Sequence, residues 1–411
     1  MAARRVVNVG FIPLVDAAPL FVAAHLGIGA DEGLDIRLSR ETSWATIRDR
    51  LSVNHLDVAH ALAPLPLAAN LGLGPLEAQM LVPICLGTGG NTITLATHHA
   101  EHLVALGAGG DLDPANKLPA LAACVEERHK AGQPKLVFGI VHPHSAHRYQ
   151  LAYWLASGGI IPGRDVDLLV LPPALMPAAL AAGRIDGFCA GEPWGSAAVG
   201  EDVGRVLTTN AHIWSGSPEK VLAVSAAWAQ AHPDSLNALI RAVYRACIWC
   251  DAPANRGQLA DLLASESGLG IEPELLAPGL YRRLTALSGV SEDVPGFLQF
   301  ARGATSFPWV SHAFWFAAQM DRWHETTLTA ATAQKVRQTW RPDLYRTALA
   351  PLGADLPSAN AKLEGAIAEP IGVGSSRGQL QLARDAFFDG RVFDMDDVGA
   401  YIADLKRADA A

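Results

Sequence analysis

Lys220, in the segment Pro218-Glu219-Lys220-Val221, has the side chain best suited to hold a small anion. An ammonium aimed into a cleft offers three N–H donors and a full opposite charge. Further donors lie elsewhere in the chain. His142, His144 and His147 follow the apolar run Leu136 to Val141, where Ser145 or His144 would cap a helix whose free amides point outward. Trp44 sits just inside a predicted helix start in Ser43-Trp44-Ala45-Thr46, where unpaired amides and the helix dipole also favour an anion. Asn91 follows Gly87-Thr88-Gly89-Gly90, read as a loop that lets its carboxamide face a cleft. The run Asp186 to Trp194 reads as a short buried strand delivered into a glycine-tipped loop, Gly191-Glu192, and so as a ligand wall. Each residue also has a plainer reading. Lys220 suits a solvated strand end, Trp44 a core anchor, and Asn91 a turn whose backbone groups it satisfies.

Other chemistries find less support. His98-His99-Ala100-Glu101-His102 matches the H-x-x-E-H pattern of inverted zinc proteases, but no third ligand is evident nearby. Pro143 splits His142 from His144, and no carboxylate stands at ligand spacing from His144 and His147. The glycines of Gly27 to Gly33 lie between a helix and the next strand, the wrong order for a dinucleotide turn. Cys247 and Cys250 form an isolated C-x-x-C on an amphipathic helix, which reads as core packing. Nothing in the chain demands catalysis, a metal or another cofactor.

The elements that must place these groups alternate. Strands are predicted at Val6 to Leu14, Leu34 to Leu38, Val58 to Ala61, Asn91 to Ala96, Leu136 to Val141, Leu168 to Leu171 and Val206 to Thr209. Helices are predicted at Pro19 to Leu26, Ser43 to Val53, Ser145 to Ser157 and Ala174 to Gly183. Beyond Val224 the chain reads as helical, through Ser235 to Cys250, Gly257 to Glu266, a broken Leu298 to Trp323, and Met395 to Leu405. Asn91 to Ala96 and His212 to Val224 read as two crossings. The expected architecture is therefore an α/β fold of two lobes with mixed sheets flanked by helices. Residues 1–95 and 213–411 form a discontinuous first lobe with a helical extension, and 96–212 form the second.

The composition fits that picture. The chain has 411 residues, half of them apolar, enough for two cores. Its formal net charge of −9 argues against direct contact with nucleic acid or an anionic membrane, so any anion site must be made locally positive. No run of eighteen uninterrupted apolar residues appears. Five cysteines, an odd number among apolar neighbours, suit a reducing compartment. Arg4-Arg5 superficially resembles a twin-arginine export signal, but Val6 to Leu14 is needed as the first strand. A cytoplasmic location is the expectation.

Three segments carry a resemblance: Ser43-Trp44-Ala45-Thr46 with Arg48-Asp49, Gly191-Glu192-Pro193-Trp194, and Glu219-Lys220-Val221-Leu222. With His147, they are similar to the nitrate and bicarbonate branch of the solute-binding proteins of ABC importers, and most of all to its cytoplasmic relatives, the NasS-type nitrate/nitrite sensors. The resemblance implies a two-lobe, type II periplasmic-binding-protein-like fold with no enzymatic activity. It also implies a pocket between the lobes lined by Trp44, Asn91, His147, Gly191, Glu192 and Lys220. Lysine at position 220 is the nitrate branch's choice, where bicarbonate-binding relatives place an acidic residue. Asn91 departs from the glutamine typical of nitrate-binding relatives. Glu192 would repel nitrate if its carboxylate faced inward, so the amides of Gly191 or Glu192 are expected to meet the ligand. The implied function is regulation of nitrate assimilation genes, by holding a NasT-type RNA-binding antiterminator until nitrate or nitrite binds. An importer component and a zinc-dependent hydrolase are the alternatives.

Overall fold

The computed structural model describes residues 4–76 and 78–410. Its first sheet has the order β14-β5-β11-β3-β1-β2, with β4 also paired to β11. Here β1 is Arg5–Phe11, β2 Leu34–Arg40, β3 Val58–Leu62, β4 Met80–Leu81, β5 Cys85–Gly89, β11 Pro218–Ser225 and β14 Leu298–Gln299. β1, β2 and β3 run parallel, and β11 returns antiparallel between β3 and β5. The second sheet has the order β10-β6-β9-β7-β8, formed by β6 (Asn91–Ala96), β7 (Leu136–Ile140), β8 (Val166–Val170), β9 (Gly187–Gly191) and β10 (Gly204–Thr209). Two hairpins, Arg283–Thr285 with Ser291–Asp293 (β12–β13) and Ile371–Ser375 with Gly378–Leu382 (β15–β16), lie outside both sheets.

Strands covered on both faces need apolar side chains throughout, and β3, β6, β9 and β11 are buried at every position. Polar residues therefore stand out there: His60 in β3, Asn91, Thr92 and Thr94 in β6, and Glu219 and Lys220 in β11. The chain passes between sheets twice, at Gly90 and again through the short helix Asn210–Ile213 that leads to β11. At the first passage Gly89 and Gly90 have φ of +69° and +87°. A Cβ on Gly89 would stand 2.1 Å from the Phe297 carbonyl oxygen, so only glycine fits.

Several expectations shift. Gly87 to Gly89 belong to strand β5 rather than a loop, because Thr88 and Gly89 pair with Gln299 and Leu298. The segment from Leu298 opens as a strand, and its helix begins only at Val310. The tail is ordered against the core: the Phe387 ring stacks on Trp214, the Trp214 indole donates to Asp385 at 2.6 Å, and helix Val398–Ala410 packs on helix Val310–Arg322. No helix among the described residues is long and apolar enough to cross a membrane.

Candidate anion-binding site

Lys220 is completely buried near the middle of the first sheet. The β11–β5 register shifts on either side of it. Such an irregularity lets consecutive side chains, which a regular strand sends to opposite faces, converge. Its Nζ lies 2.9 Å from Glu219 Oε1 and 2.8 Å from Asp16 Oδ2. Asp16 sits in the 3-10 turn Val15–Ala17, beyond the carboxyl end of β1. The site is therefore not locally positive, because two carboxylates flank its one ammonium.

Two imidazoles complete the array. His60 Nε2 lies 3.0 Å from Asp16 Oδ1, and His147 Nδ1 lies 3.1 Å from Glu219 Oε1, in neither case with hydrogen-bond alignment. His147 stands in the first turn of helix Ala146–Ser157, whose cap is Ser145, accepting from the Arg148 amide at 3.1 Å. Trp44 opens helix Trp44–Ser52, capped by Ser43. Its ring lies 5.6 Å from Lys220 Nζ and 5.3 Å from the His60 ring. Asn91 and Gly191 are register partners in β6 and β9. A Cβ on Gly191 would crowd Asn91 Oδ1 at 3.2 Å and reach Asp16 Oδ2 in ordinary contact at 3.6 Å, so its missing side chain leaves room beside Asn91.

Buried polar atoms without partners are rare in folded proteins, yet several cluster here. Trp44 Nε1, both side-chain polar atoms of Asn91, both ring nitrogens of His60 and His147, and Gln150 Oε1 make no hydrogen bond. Of these, Trp44, His60 and His147 stand close to Lys220.

Glu192 behaves differently from the rest. Its amide donates to the Gly90 carbonyl at 2.9 Å, so it is not free for a ligand, contrary to expectation. Its carbonyl accepts from the Val15 amide at 3.0 Å, tying the second lobe to the turn that carries Asp16. Its carboxylate does turn into a structural contact, with the Ser196 amide at 3.3 Å.

The electrostatics follow from burial opposed by neighbours. Burial would raise the Asp16 carboxyl, but Lys220 and His60 together hold it well below the usual range. Burial raises Glu219 despite Lys220, and raises Glu192 to about 7 against the Ser196 contacts. Burial also lowers His60, and lowers His147 further, each reinforced by Lys220. Burial would lower Lys220, but Asp16 and Glu219 reverse this and raise it.

The remaining histidines serve the frame. His99 pairs with Asp186 and His102 with Glu127, both at 2.8 Å, which turns His102 away from any site shared with His98. His142 accepts from the His144 amide at 3.0 Å, and His144 faces Tyr149 and Glu325. No group of three metal-ligating side chains occurs among the described residues.

Sequence reasoning missed Asp16, His60, Glu219 and Gln150. His60 carried a signal, as the one polar residue in the strand Val58–Leu62. Asp16 follows a parallel strand's carboxyl end, where α/β sheets place ligands.

Comparison with known proteins agrees with this architecture. Residues 2–264 match the model of the NMT1-like family. The nitrate/nitrite binding protein NrtA of Synechococcus elongatus is 32% identical over 97% of this chain and 86% of its own length. The nitrate import ATP-binding protein NrtC of Synechocystis is 36% identical over 84% of this chain, which spans about half of that relative. The crystal structure of the periplasmic nitrate-binding protein NrtA from Synechocystis superposes with a TM-score of 0.85 at 26% identity, covering 98% of this chain and 99% of that one. The two sheets and their connections are those of the type II periplasmic-binding-protein fold, and the NrtA relatives are named for binding, not catalysis.

Proposed function

Because the chain belongs to the NMT1-like family, we propose that it is a cytoplasmic nitrate/nitrite sensor that binds the anion between two lobes and thereby releases an RNA-binding antiterminator of the NasT type. The observation that carries the binding half is the cluster of unpartnered buried polar groups, Trp44 Nε1, Asn91 and His147, around Lys220. Nitrate and nitrite are small acceptors whose oxygens these donors match. The lobes are residues 1–95 with 213–411, and 96–212. By these bounds Asp16, Trp44, His60, Asn91, Glu219 and Lys220 fall in the first, although Asn91 is paired into the second sheet, and His147 and Gly191 fall in the second.

The sensing half follows from linkage. An anion that binds the closed arrangement better than the partner-holding one weakens partner affinity, and the partner weakens anion affinity by the same factor. A differential of about 1.4 kcal/mol changes partner affinity tenfold. The test is a purified mixture of the protein and its NasT-type partner, resolved by size: they should co-elute without nitrate and separate with it. A complex that ignores nitrate and nitrite would overturn the sensor reading. The second reading is a solute-binding component of a nitrate importer, favoured by the import function named in NrtC. Capture by a membrane permease in place of the antiterminator would establish it.

A further inference from the structure

The charge inventory of the site does not suit an anion as it stands. Lys220 contributes one positive charge and Asp16 one negative charge, while burial lowers both imidazoles and raises the Glu219 carboxyl, so the array holds no net positive charge with which to meet nitrate. Hydrogen-bond polarity sharpens the conflict at His147. Its Nδ1 lies 3.1 Å from Glu219 Oε1 without hydrogen-bond alignment, and neither ring nitrogen has a partner. A neutral imidazole carries one N–H. Placed on Nδ1, that hydrogen can turn to Glu219 but leaves Nε2 with a lone pair and nothing to offer an anion. Placed on Nε2, it leaves two lone pairs across 3.1 Å from an ionised Glu219. One further proton on the pair, on the imidazole or on the Glu219 carboxyl, removes the conflict.

We infer that this pocket binds its anion together with one proton, taken from solvent onto the His147–Glu219 pair beside the bound anion. The inference rests on the nitrate/nitrite reading of the site and adds to it the ionic form in which the ligand is held. The balance is simple: the His147–Glu219 pair, nitrate and one proton give the protonated pair and bound nitrate, with no other bond made or broken. The charged and titratable groups facing His147 are Glu219 and Lys220 from β11 and Asp16 from the turn after β1. His60, from β3, faces Asp16 and Lys220. Lys220 opposes the added positive charge, Asp16 favours it, and the arriving anion decides the balance. Since Glu219 belongs to the first lobe and His147 to the second, the same proton strengthens the contact that closes the cleft.

The experiment is calorimetric titration of the full chain with sodium nitrate at pH 7, in buffers of widely different ionisation enthalpy, repeated from pH 6 to 8.5. The expected result is uptake of about one proton per nitrate at pH 7, with affinity falling about tenfold per pH unit until the bound-state pair itself deprotonates. Glu219→Gln removes one of the two carboxylates, and should lower the uptake toward zero while binding nitrate more tightly than wild type at pH 8. Should Glu219→Gln not fold, His147→Gln, which offers an amide N–H without titrating, should likewise lower the uptake. Nitrate binding with no proton uptake and an affinity flat across this range would overturn the inference and leave the nitrate reading standing. Absence of nitrate binding at every pH would overturn both.

Discussion

Lys220→Met tests whether one ammonium both organises the pocket and meets the ligand. The substitution keeps an unbranched side chain but leaves Asp16 and Glu219, 2.8 and 2.9 Å from the lost Nζ, without their cation. Breaking a fully buried ion pair from one side costs about 3–5 kcal/mol, chiefly because the remaining charge is stranded. That exceeds the ~1.5–3 kcal/mol of a hydrogen bond to a charged group, so folding stability suffers more than any single contact would suggest. The loss should depend on pH. In wild type the Asp16 carboxyl is held below its usual range, so its contribution is present above the unfolded pKa and lost as pH falls through the folded one. Without Lys220 both carboxylates titrate higher, and stability should recover as pH falls and they take up protons. Denaturant unfolding of both proteins between pH 5 and 8 reads this directly, with nitrate titration of the folded variant alongside. A substitution to glutamate would bury a third carboxylate and is expected to prevent folding, so methionine is the informative change. A variant as stable as wild type at pH 8 that still binds nitrate would refute the reasoning.

Other outcomes follow from particular residues. Glu192→Gln should stabilise the protein at pH 8 by up to about 3 kcal/mol: a carboxyl raised from 4.5 to about 7 loses stability as pH climbs through that interval, and the amide does not. Parallel denaturant midpoints at pH 5 and 8 check it. Gly89→Ala forces a Cβ to within 2.1 Å of the Phe297 carbonyl at φ +69°, and should cost about 2 kcal/mol or more, read as a lowered Tm. Chelation with EDTA should leave Tm and anion affinity unchanged, because His102 is paired with Glu127 and no described trio of ligands exists. Stoichiometric zinc in the purified protein would contradict this.

How much of this was legible before folding depended on whether a signal was local. Strands such as Val58–Leu62 and Asn91–Ala96 announce themselves as short apolar or β-branched runs, and Ser43 and Ser145 announce helix starts through capping chemistry. Strand β5 was hidden because Gly87, Thr88 and Gly89 favour a turn by composition, and only pairing with Gln299 and Leu298, some 210 residues away in sequence, holds them extended. The hairpin Ile371–Ser375 with Gly378–Leu382 was hidden too, although Leu380 and Leu382 alternate with glutamines, because the run is short and its glycines favour a turn by composition. Lys220, His147 and Trp44 could be picked out by resemblance. The neutralisation of Lys220 by Asp16 and Glu219 could not, since it arises from the register shift around Lys220 and from a turn about 200 residues earlier.

Isothermal titration of the wild-type protein with nitrate, nitrite, bicarbonate and sulfate, alongside the folded Lys220→Met variant, tests the central claim most directly. The account predicts one nitrate or nitrite per chain in wild type and none in the variant. Saturable binding of bicarbonate or sulfate with no heat for nitrate or nitrite, or equal nitrate binding by both proteins, would contradict it.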